Sequence, residues 1–429
     1  MDTTSYTPYL SILRSELIPA LGCTEPIAVA LAGAKTREVL GSFPSVMEVA
    51  CSGNIIKNVA GVLVPASGGH KGIRTAAILG ALGGDADREL QVLETISEAD
   101  RNRLEELLAT DYCHTSAIPE SANLVIRIKA FDDKGHHSFV EICSEHTHFS
   151  RIERDDVTLL DDTTPAEENT ETKEQALSVE GILDFAEELD TADVCELFDQ
   201  QIEMNEAISR AGLEENYGAG VGKTLIERDT GTVMTRATAL AAAGSDARMS
   251  GCMMPVIINS GSGNQGITAS MPVVEYAREL GASREQLYRA LAISNLVAIH
   301  IKSRLGKLSA FCGAVCAACG SGAAITWLTT QGDRAMIKAT ITNTLVTIGG
   351  MFCDGAKPSC AAKVASSLEA ALLASDLACR DKNFQPGEGL VQADVEATIE
   401  VIGRLGRDAM RSTDKEILDL MIGSGNSHS

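Results

Sequence analysis

Residues 306–331 read GKLSAFCGAVCAACGSGAAITWLTTQ. The run is dominated by Ala, Gly, Ser, Thr and Cys and is too long for a strand. It reads as a helix whose small side chains let neighbouring helices approach closely. Residues 234–244 and 336–378 repeat the composition, and 273–280 and 284–300 carry helical periodicity, so 175–429 is expected to be all-helical.

Toward the N-terminus the pattern changes. Leu10, Leu13 and Leu17 recur at helical spacing up to Pro19, and 27–40 reads as a second apolar helix ended by Gly41. Between them Thr24 is the expected N-cap, with Glu25 and Pro26 in the first turn, which puts Cys23 at a helix N-terminus. From Val46 the period becomes two. Met47, Val49 and Cys51 alternate, as do Leu124, Ile126 and Ile128, and further strands are expected over about 137–143 and 148–152. The fold class is therefore α+β, mainly α-helical with a smaller α+β domain near the N-terminus. The expected division is 1–44, two helices packing on the large helical domain; 45–165, the small α+β domain; and 175–429, the helical domain. Residues 161–174, acidic and Thr-rich, are the expected linker.

Length and charge narrow the function. With 429 residues at 45% hydrophobic, the chain can build substantial cores without disulfides. Its formal charge of -23 would repel a nucleic-acid backbone or an anionic membrane surface. Aromatic content of 4% offers few stacking platforms for single strands. No basic, apolar leader opens the sequence, and no run approaches the roughly 18 apolar residues of a membrane span. A cytoplasmic protein with neither a nucleic-acid nor a membrane partner is expected, and its twelve cysteines are then thiols.

Three motifs imitate known sites. Gly218-Ala219-Gly220-Val221-Gly222-Lys223-Thr224 resembles a phosphate-binding loop, but Tyr217 stands where its first glycine belongs. Gly261-Ser262-Gly263-Asn264-Gln265-Gly266 satisfies the dinucleotide glycine pattern, yet helical segments follow where a second strand is needed. Cys312, Cys316 and Cys319 have the spacing of radical S-adenosylmethionine enzymes, but Ala318 replaces the usual aromatic and the segment continues as helix. No lysine is marked as a pyridoxal phosphate anchor; Lys223 and Lys363 both lie in helical settings.

Stripped of the dinucleotide reading, residues 260–266 still gather hydroxyls, amides and backbone N–H groups ahead of a helix, which suits a carboxylate. Five cysteines fall within 312–360. Cys353 and Cys360 flank a turn containing Gly355 and Pro358, and two thiolates there with a third from 312–319 could hold three corners of an iron-sulfur cube. Zinc is the competing metal. His114, His146 and His148, however, fall in the other domain and read as surface or core histidines. Cys51, Cys113, Cys143, Cys195, Cys252 and Cys379 read as small packing residues.

Four motifs in order, Gly22-Cys23-Thr24-Glu25-Pro26-Ile27, Gly53-Asn54-Ile55-Ile56-Lys57-Asn58, Ser260-Gly261-Ser262-Gly263-Asn264-Gln265-Gly266 and the spaced Cys312, Cys353 and Cys360, resemble the L-cysteine desulfidase family, itself related to the alpha chain of bacterial iron-sulfur L-serine dehydratases. The resemblance covers essentially the whole chain. It implies that 175–429 is the iron-sulfur catalytic domain. It further implies that Cys312, Cys353 and Cys360 ligate a 4Fe-4S cluster whose fourth iron is open to substrate, with Cys316 and Cys319 packing behind. Cys23 is implied in proton transfer, its pKa expected to be lowered by the helix N-terminus. Glu25 either tunes Cys23 or only favours the helix dipole. Ser260, Gly261, Ser262, Gly263, Asn264 and Gln265 are the expected substrate contacts, with Asn54 and Lys57 contributing from the smaller domain.

The implied reaction turns L-cysteine into hydrogen sulfide, pyruvate and ammonia. The alternatives are an L-serine dehydratase on the same scaffold and a non-catalytic iron-sulfur sensor. Relatives can plug the open iron with a C-terminal cysteine, which is not expected for a chain reading Gly423-Ser424-Gly425-Asn426-Ser427-His428-Ser429. Small-residue helix faces and the resemblance together suggest a homodimer.

Overall fold

A computed structural model describes residues 3–119, 124–162, 177–228, 231–306 and 309–425. It is a mixed α+β protein, mainly helical. Among the described residues no helix is long and apolar enough to cross a membrane.

Among the described residues six strands form one sheet, ordered 113–117, 46–51, 125–131, 137–143, 149–154, 157–161, and two more form a short separate ribbon. All neighbours are antiparallel except the first pair, where Val46–Cys51 runs parallel to Cys113–Ala117. That parallel pair needs a crossover, supplied by helices Gly53–Ala60, Gly72–Gly83 and Glu98–Leu108. The alternation expected over 46–51 and 137–143 is seen as buried Met47, Val49 and Cys51 and as buried Val140 and Ile142. Of the expected linker, 163–174 lies outside the described residues, while residue 161 closes the strand Val157–Asp161.

The N-terminal segment is divided between the two parts of the molecule. Helix Thr3–Glu16 lies against helices Val179–Glu188 and Arg284–Leu305 of the helical part. Strand Pro19–Leu21 follows, pairing antiparallel with Pro255–Ile257. Helix Thr24–Leu40 instead covers strands 125–131 and 137–143 and crosses Gly72–Gly83. The expectation that both N-terminal helices pack on the helical domain is thus corrected for the second. Its residues Thr24 to Ala34 are all buried, and the sheet and the 72–83 helix together enclose it. The two helices cross so closely that a Cβ at Gly33 would stand 2.4 Å from the Ala77 carbonyl oxygen, and one at Gly80 would stand 2.0 Å from that of Ala30. Among the described residues strand 255–257 is the exception to an all-helical 175–429.

In the helical part Gly313–Thr330 is central, packed by 263–279, 284–305, 334–348 and 360–378. Its residues Ala314 to Thr326 are all buried. The helix is shorter than 306–331 because Gly306, at φ 85°, ends the preceding helix and Cys312 is the N-cap. A Cβ at Gly320 would lie 2.2 Å from the Ser294 carbonyl oxygen. Gly320→Ala is expected to destabilise the fold by about 1–3 kcal/mol, since two helix backbones must separate. Gly350→Ala meets nothing within 4 Å and serves as the control. Equal melting temperatures for the two variants would contradict this packing.

His300, wholly buried, reaches Glu396 Oε2 at 2.8 Å through Nε2, and the same carboxylate accepts the Val179 N–H at 2.6 Å. Burial acts to raise the Glu396 pKa, but His300 and the Val179 N–H outweigh it and hold the carboxyl below its ordinary value. A depressed carboxylate stabilises the fold above its unfolded pKa of roughly 4.3, and the contribution is lost as pH falls through the lower folded value. Glu396→Gln is therefore expected to melt below wild type at neutral pH, with the gap closing in acid. A gap independent of pH would remove the assignment.

Candidate active site

Cys23 lies where the chain passes from the helical part to the sheet. Gly22, at φ 62°, makes the turn, and a Cβ there would collide with Pro65 at 2.2 Å. Cys23 itself is the N-cap of Thr24–Leu40, one residue ahead of the expected Thr24. Its side chain is buried with Val62 and Met249, and Ala356 and Cys360 pack against them. The thiol donates to Glu25 Oε2 at 3.0 Å. Asn58 Nδ2 donates to Glu25 Oε1 at 3.0 Å, and the Thr24 hydroxyl bridges Glu25 Oε2 at 3.1 Å and the Gly261 carbonyl at 2.8 Å.

Burial pushes the Cys23 thiol well above its ordinary pKa, the Glu25 carboxylate adds to the shift, and Arg248 opposes it. The expected lowering is corrected. The helix N-terminus is present, but desolvation of a buried thiolate beside a carboxylate costs more than the helix end returns. Of the two readings of Glu25, direct contact with the thiol is the one seen.

Cys312 and Cys353 are brought together by an antiparallel bridge between Phe311 and Phe352. The Cys312 N–H donates to the Met351 carbonyl at 2.9 Å and the Cys353 N–H to that of Ala310 at 2.5 Å. Gly355, at φ 89°, then turns the chain so that Cys360 starts the helix Cys360–Ala378. The Cys312 thiol is pushed up to about 12, first by burial and then by the nearby Cys353 and Cys360, with Lys363 opposing. Cys360 is raised by burial, with Lys357 and Lys363 opposing and Cys353 adding. Three thiols from two chain segments thus share one neighbourhood with two lysines.

Among the described residues no three His, Cys, Asp or Glu side chains are arranged to hold a single metal ion. The ligands of an iron-sulfur cube sit on separate irons, and the donor chemistry of these thiols, with cations beside them, fits that group. Cys316 and Cys319 are fully buried within helix 313–330, and burial pushes Cys316 up to about 12 and Cys319 well above its ordinary value.

The 260–266 loop reaches this region from the other side. Ser260 and Gly261 have φ of 49° and 73°, and Ser262 is the N-cap of helix Gly263–Glu279. Gln265 packs on Gly313, the residue after Cys312; a Cβ there would lie 2.6 Å from Gln265 Cδ. Asn264 Oδ1 accepts from Arg248 Nη1 at 2.6 Å. Ser260 is turned inward, donating to Asn259 Oδ1 at 2.9 Å. Asn54 is half-buried in the first turn of Gly53–Ala60. Lys57 is not brought to the loop. Its ammonium pairs with Asp414 of the C-terminal helix Arg411–Gly425, while its carbonyl oxygen lies 2.3 Å from a Cβ built on Gly355.

Sequence reasoning misses three residues of this region. Arg248, buried at the end of helix Val233–Met249, donates to the Gly22 carbonyl as well as to Asn264. Burial lowers its pKa, and Cys23, Glu25 and Cys360 oppose that shift. Its one signal in the sequence is a lone arginine closing an Ala-rich helix. Asn58 lies inside the 53–58 motif without being singled out by it. His146, which reads as remote, packs on Gly261, where a Cβ would stand 3.2 Å from its Cε1; nothing in the local sequence marks it.

The look-alike sites resolve differently. The Gly-rich turn at 218–222 wraps an internal anion, with the Gly222 N–H donating to Asp246 Oδ2 at 3.1 Å, so no phosphate is needed there. Strand 255–257, ahead of the dinucleotide-like glycines, is antiparallel to its one partner, which is incompatible with a Rossmann unit.

A scaffold that gathers one thiol at a helix start, three more around a turn and a glycine-rich loop opposite defines the class. The chain belongs to the serine dehydratase alpha chain family, whose profile matches residues 87–419. Similar proteins include the "UPF0597 protein" of Lachnoclostridium phytofermentans, 46% identical over 97% of this chain and 100% of its own length. Those of Desulfitobacterium hafniense and Finegoldia magna are each 45% identical, over 97% and 96% of this chain and 97% and 99% of their own.

Proposed function

We propose that the protein is an iron-sulfur lyase that eliminates the side-chain heteroatom of a small amino acid, taking L-cysteine to hydrogen sulfide, pyruvate and ammonia. The observation that carries this reading is the meeting of Cys23 with Cys360 across a shared apolar cluster, beside Arg248 and the 260–266 loop. Cys312, Cys353 and Cys360 would hold a 4Fe-4S cluster. When bound, such a cluster with an open iron supplies a Lewis acid toward the leaving sulfur.

The chain's own residues handle the proton. Cys23 passes its hydrogen to Glu25 Oε2, an uphill step given the raised thiol pKa, and the correspondingly strong thiolate base takes the Cα proton of the substrate as sulfide departs. Asn58 and Thr24 keep the Glu25 carboxylate turned toward the thiol. The product 2-aminoacrylate leaves, tautomerises and adds water to give pyruvate and ammonia.

The family's description favours a second reading, elimination of water from L-serine. Protein purified without air, assayed for iron and sulfide per chain and for sulfide and pyruvate release from both amino acids, separates the two. Iron-free protein that still released sulfide would overturn the cluster. Pyruvate from serine alone would move the assignment to the dehydratase, and an iron-loaded protein inert to both would make it a sensor. A cytoplasmic homodimer is the accompanying expectation, read by light scattering.

A further inference from the structure

Three contacts lie in a row behind Cys23. Its Sγ stands 3.0 Å from Glu25 Oε2, that oxygen stands 3.1 Å from Thr24 Oγ1, and Thr24 Oγ1 stands 2.8 Å from the Gly261 carbonyl oxygen. All three side chains are buried, at 9% exposure or less. Three contacts need three hydrogens, and with Glu25 ionised the row holds two, the thiol's and the hydroxyl's. A carbonyl only accepts, and two oxygens come this close only with a hydrogen between them, so the Thr24 hydrogen belongs to Gly261. The Thr24 oxygen therefore turns a lone pair toward Glu25. While the remaining hydrogen sits on Cys23, lone pair faces lone pair across the Oε2–Oγ1 contact. Once it sits on Glu25 Oε2, the same contact becomes a hydrogen bond. Asn58 Nδ2 occupies the other carboxylate oxygen, which leaves Oε2 to take the hydrogen.

The carbonyl that commits Thr24 cannot swing away. Ser260 and Gly261 hold left-handed backbone, and Asn259 and Ser262 close the loop beneath them with two main-chain bonds, at 3.1 and 3.0 Å. Asn259 Oδ1 accepts the Ser260 hydroxyl at 2.9 Å, and its Nδ2 donates to Asn295 Oδ1 at 3.0 Å. Asn295 in turn exchanges two amide bonds with Gln201, at 3.0 and 3.1 Å, and all three amides are fully buried. A buried network with its partners satisfied holds one geometry. Gly261 thus acts through its main chain, where no side-chain substitution would reveal it.

We infer that Thr24 is a positioning residue of the proton transfer: its hydroxyl, committed to the Gly261 carbonyl, is the acceptor for the hydrogen that Glu25 takes from Cys23. This rests on the proposed lyase reading and adds the group that eases its uphill step. The S–H bond of Cys23 breaks as the O–H bond on Glu25 forms, so the pair keeps a single negative charge throughout. The hydrogen drawn from the substrate Cα restores the thiol, and the hydrogen on Glu25 leaves with the departing sulfide, restoring the carboxylate.

Thr24→Val keeps the shape of the side chain and removes the acceptor; Thr24→Ser keeps the acceptor. Alkylation of Cys23 by iodoacetamide, followed anaerobically by mass spectrometry of the Cys23 peptide, reads how readily the thiolate forms. Thr24→Val should slow it about tenfold or more, with Thr24→Ser within about threefold of wild type. A merely structural role predicts the opposite sign, since a loosened pocket exposes the thiol and speeds the reaction. In turnover, kcat for sulfide release should fall by a similar factor in Thr24→Val, with KM and iron content unchanged. Should Thr24→Val not purify folded, Thr24→Ala, equally without a hydroxyl, carries the same test. A Val variant alkylated as fast as wild type or faster, no rescue by Ser, or a wild-type Cys23 inert to the reagent would overturn the assignment. The expected alkylation pattern in a protein that releases neither sulfide nor pyruvate would overturn the lyase reading and keep Thr24 as the acceptor. Turnover of cysteine without the pattern would do the reverse.

Discussion

Cys353→Ala protein purified without air should contain no iron-sulfur chromophore and should release no sulfide from L-cysteine. Cys353 is tied to the Cys312 segment by backbone bonds on both sides of the Phe311–Phe352 bridge, and these do not involve its thiol. Loss of the sulfur therefore leaves the turn in place and removes one corner of the proposed cube. The two remaining groups beside Lys357 and Lys363, Cys312 and Cys360, would then stay as thiols, since burial raises the pKa of both. The control is Cys379→Ala, since Cys379 is exposed beyond the end of the 360–378 helix. An iron and sulfide count with an absorption spectrum decides the matter. Wild-type iron in the Cys353 variant, or equal loss in the Cys379 variant, would refute the ligand set.

Cys23→Ala should keep its iron and lose turnover by about 10²- to 10⁴-fold, the range ordinarily carried by one positioned acid or base. Glu25→Gln should fall between this variant and wild type, because a neutral amide still holds the thiol but no longer accepts its proton. The measurements are kcat for sulfide release and the iron content of the same preparation. Full turnover without Cys23 would remove it as the base. A joint loss of iron and activity would instead make Cys23 a structural neighbour of Cys360, which it touches through their shared cluster.

Much of the fold and part of the site are legible in the amino-acid sequence, for reasons that differ by residue. The alternation of 46–51 and 137–143 survives because a sheet with one covered face imposes period two on whichever residues fill it. Cys353 and Cys360 stand out because Gly355 and Pro358 between them announce a turn locally. The direction of the Cys23 shift is not legible, because helix ends are local whereas burial is supplied by Val62, Met249 and the 353–360 turn from distant sequence. The pairing of Lys57 with Asp414 is not legible for the same reason, its partner lying far along the chain. Arg248 belongs to no motif, and its importance appears only when Gly22 and Asn264 converge on it.

The pairing of Pro19–Leu21 with Pro255–Ile257 bears on how the protein is born. That short ribbon closes one of the longest loops in the chain and hands Cys23 across to the sheet, so its formation is entropically late. Until it forms, Cys23 has no complete wall, because Met249 and Cys360 come from much later in the chain. A cluster held as proposed by Cys312, Cys353 and Cys360 would then be assembled only in chains completed past the 353–360 turn.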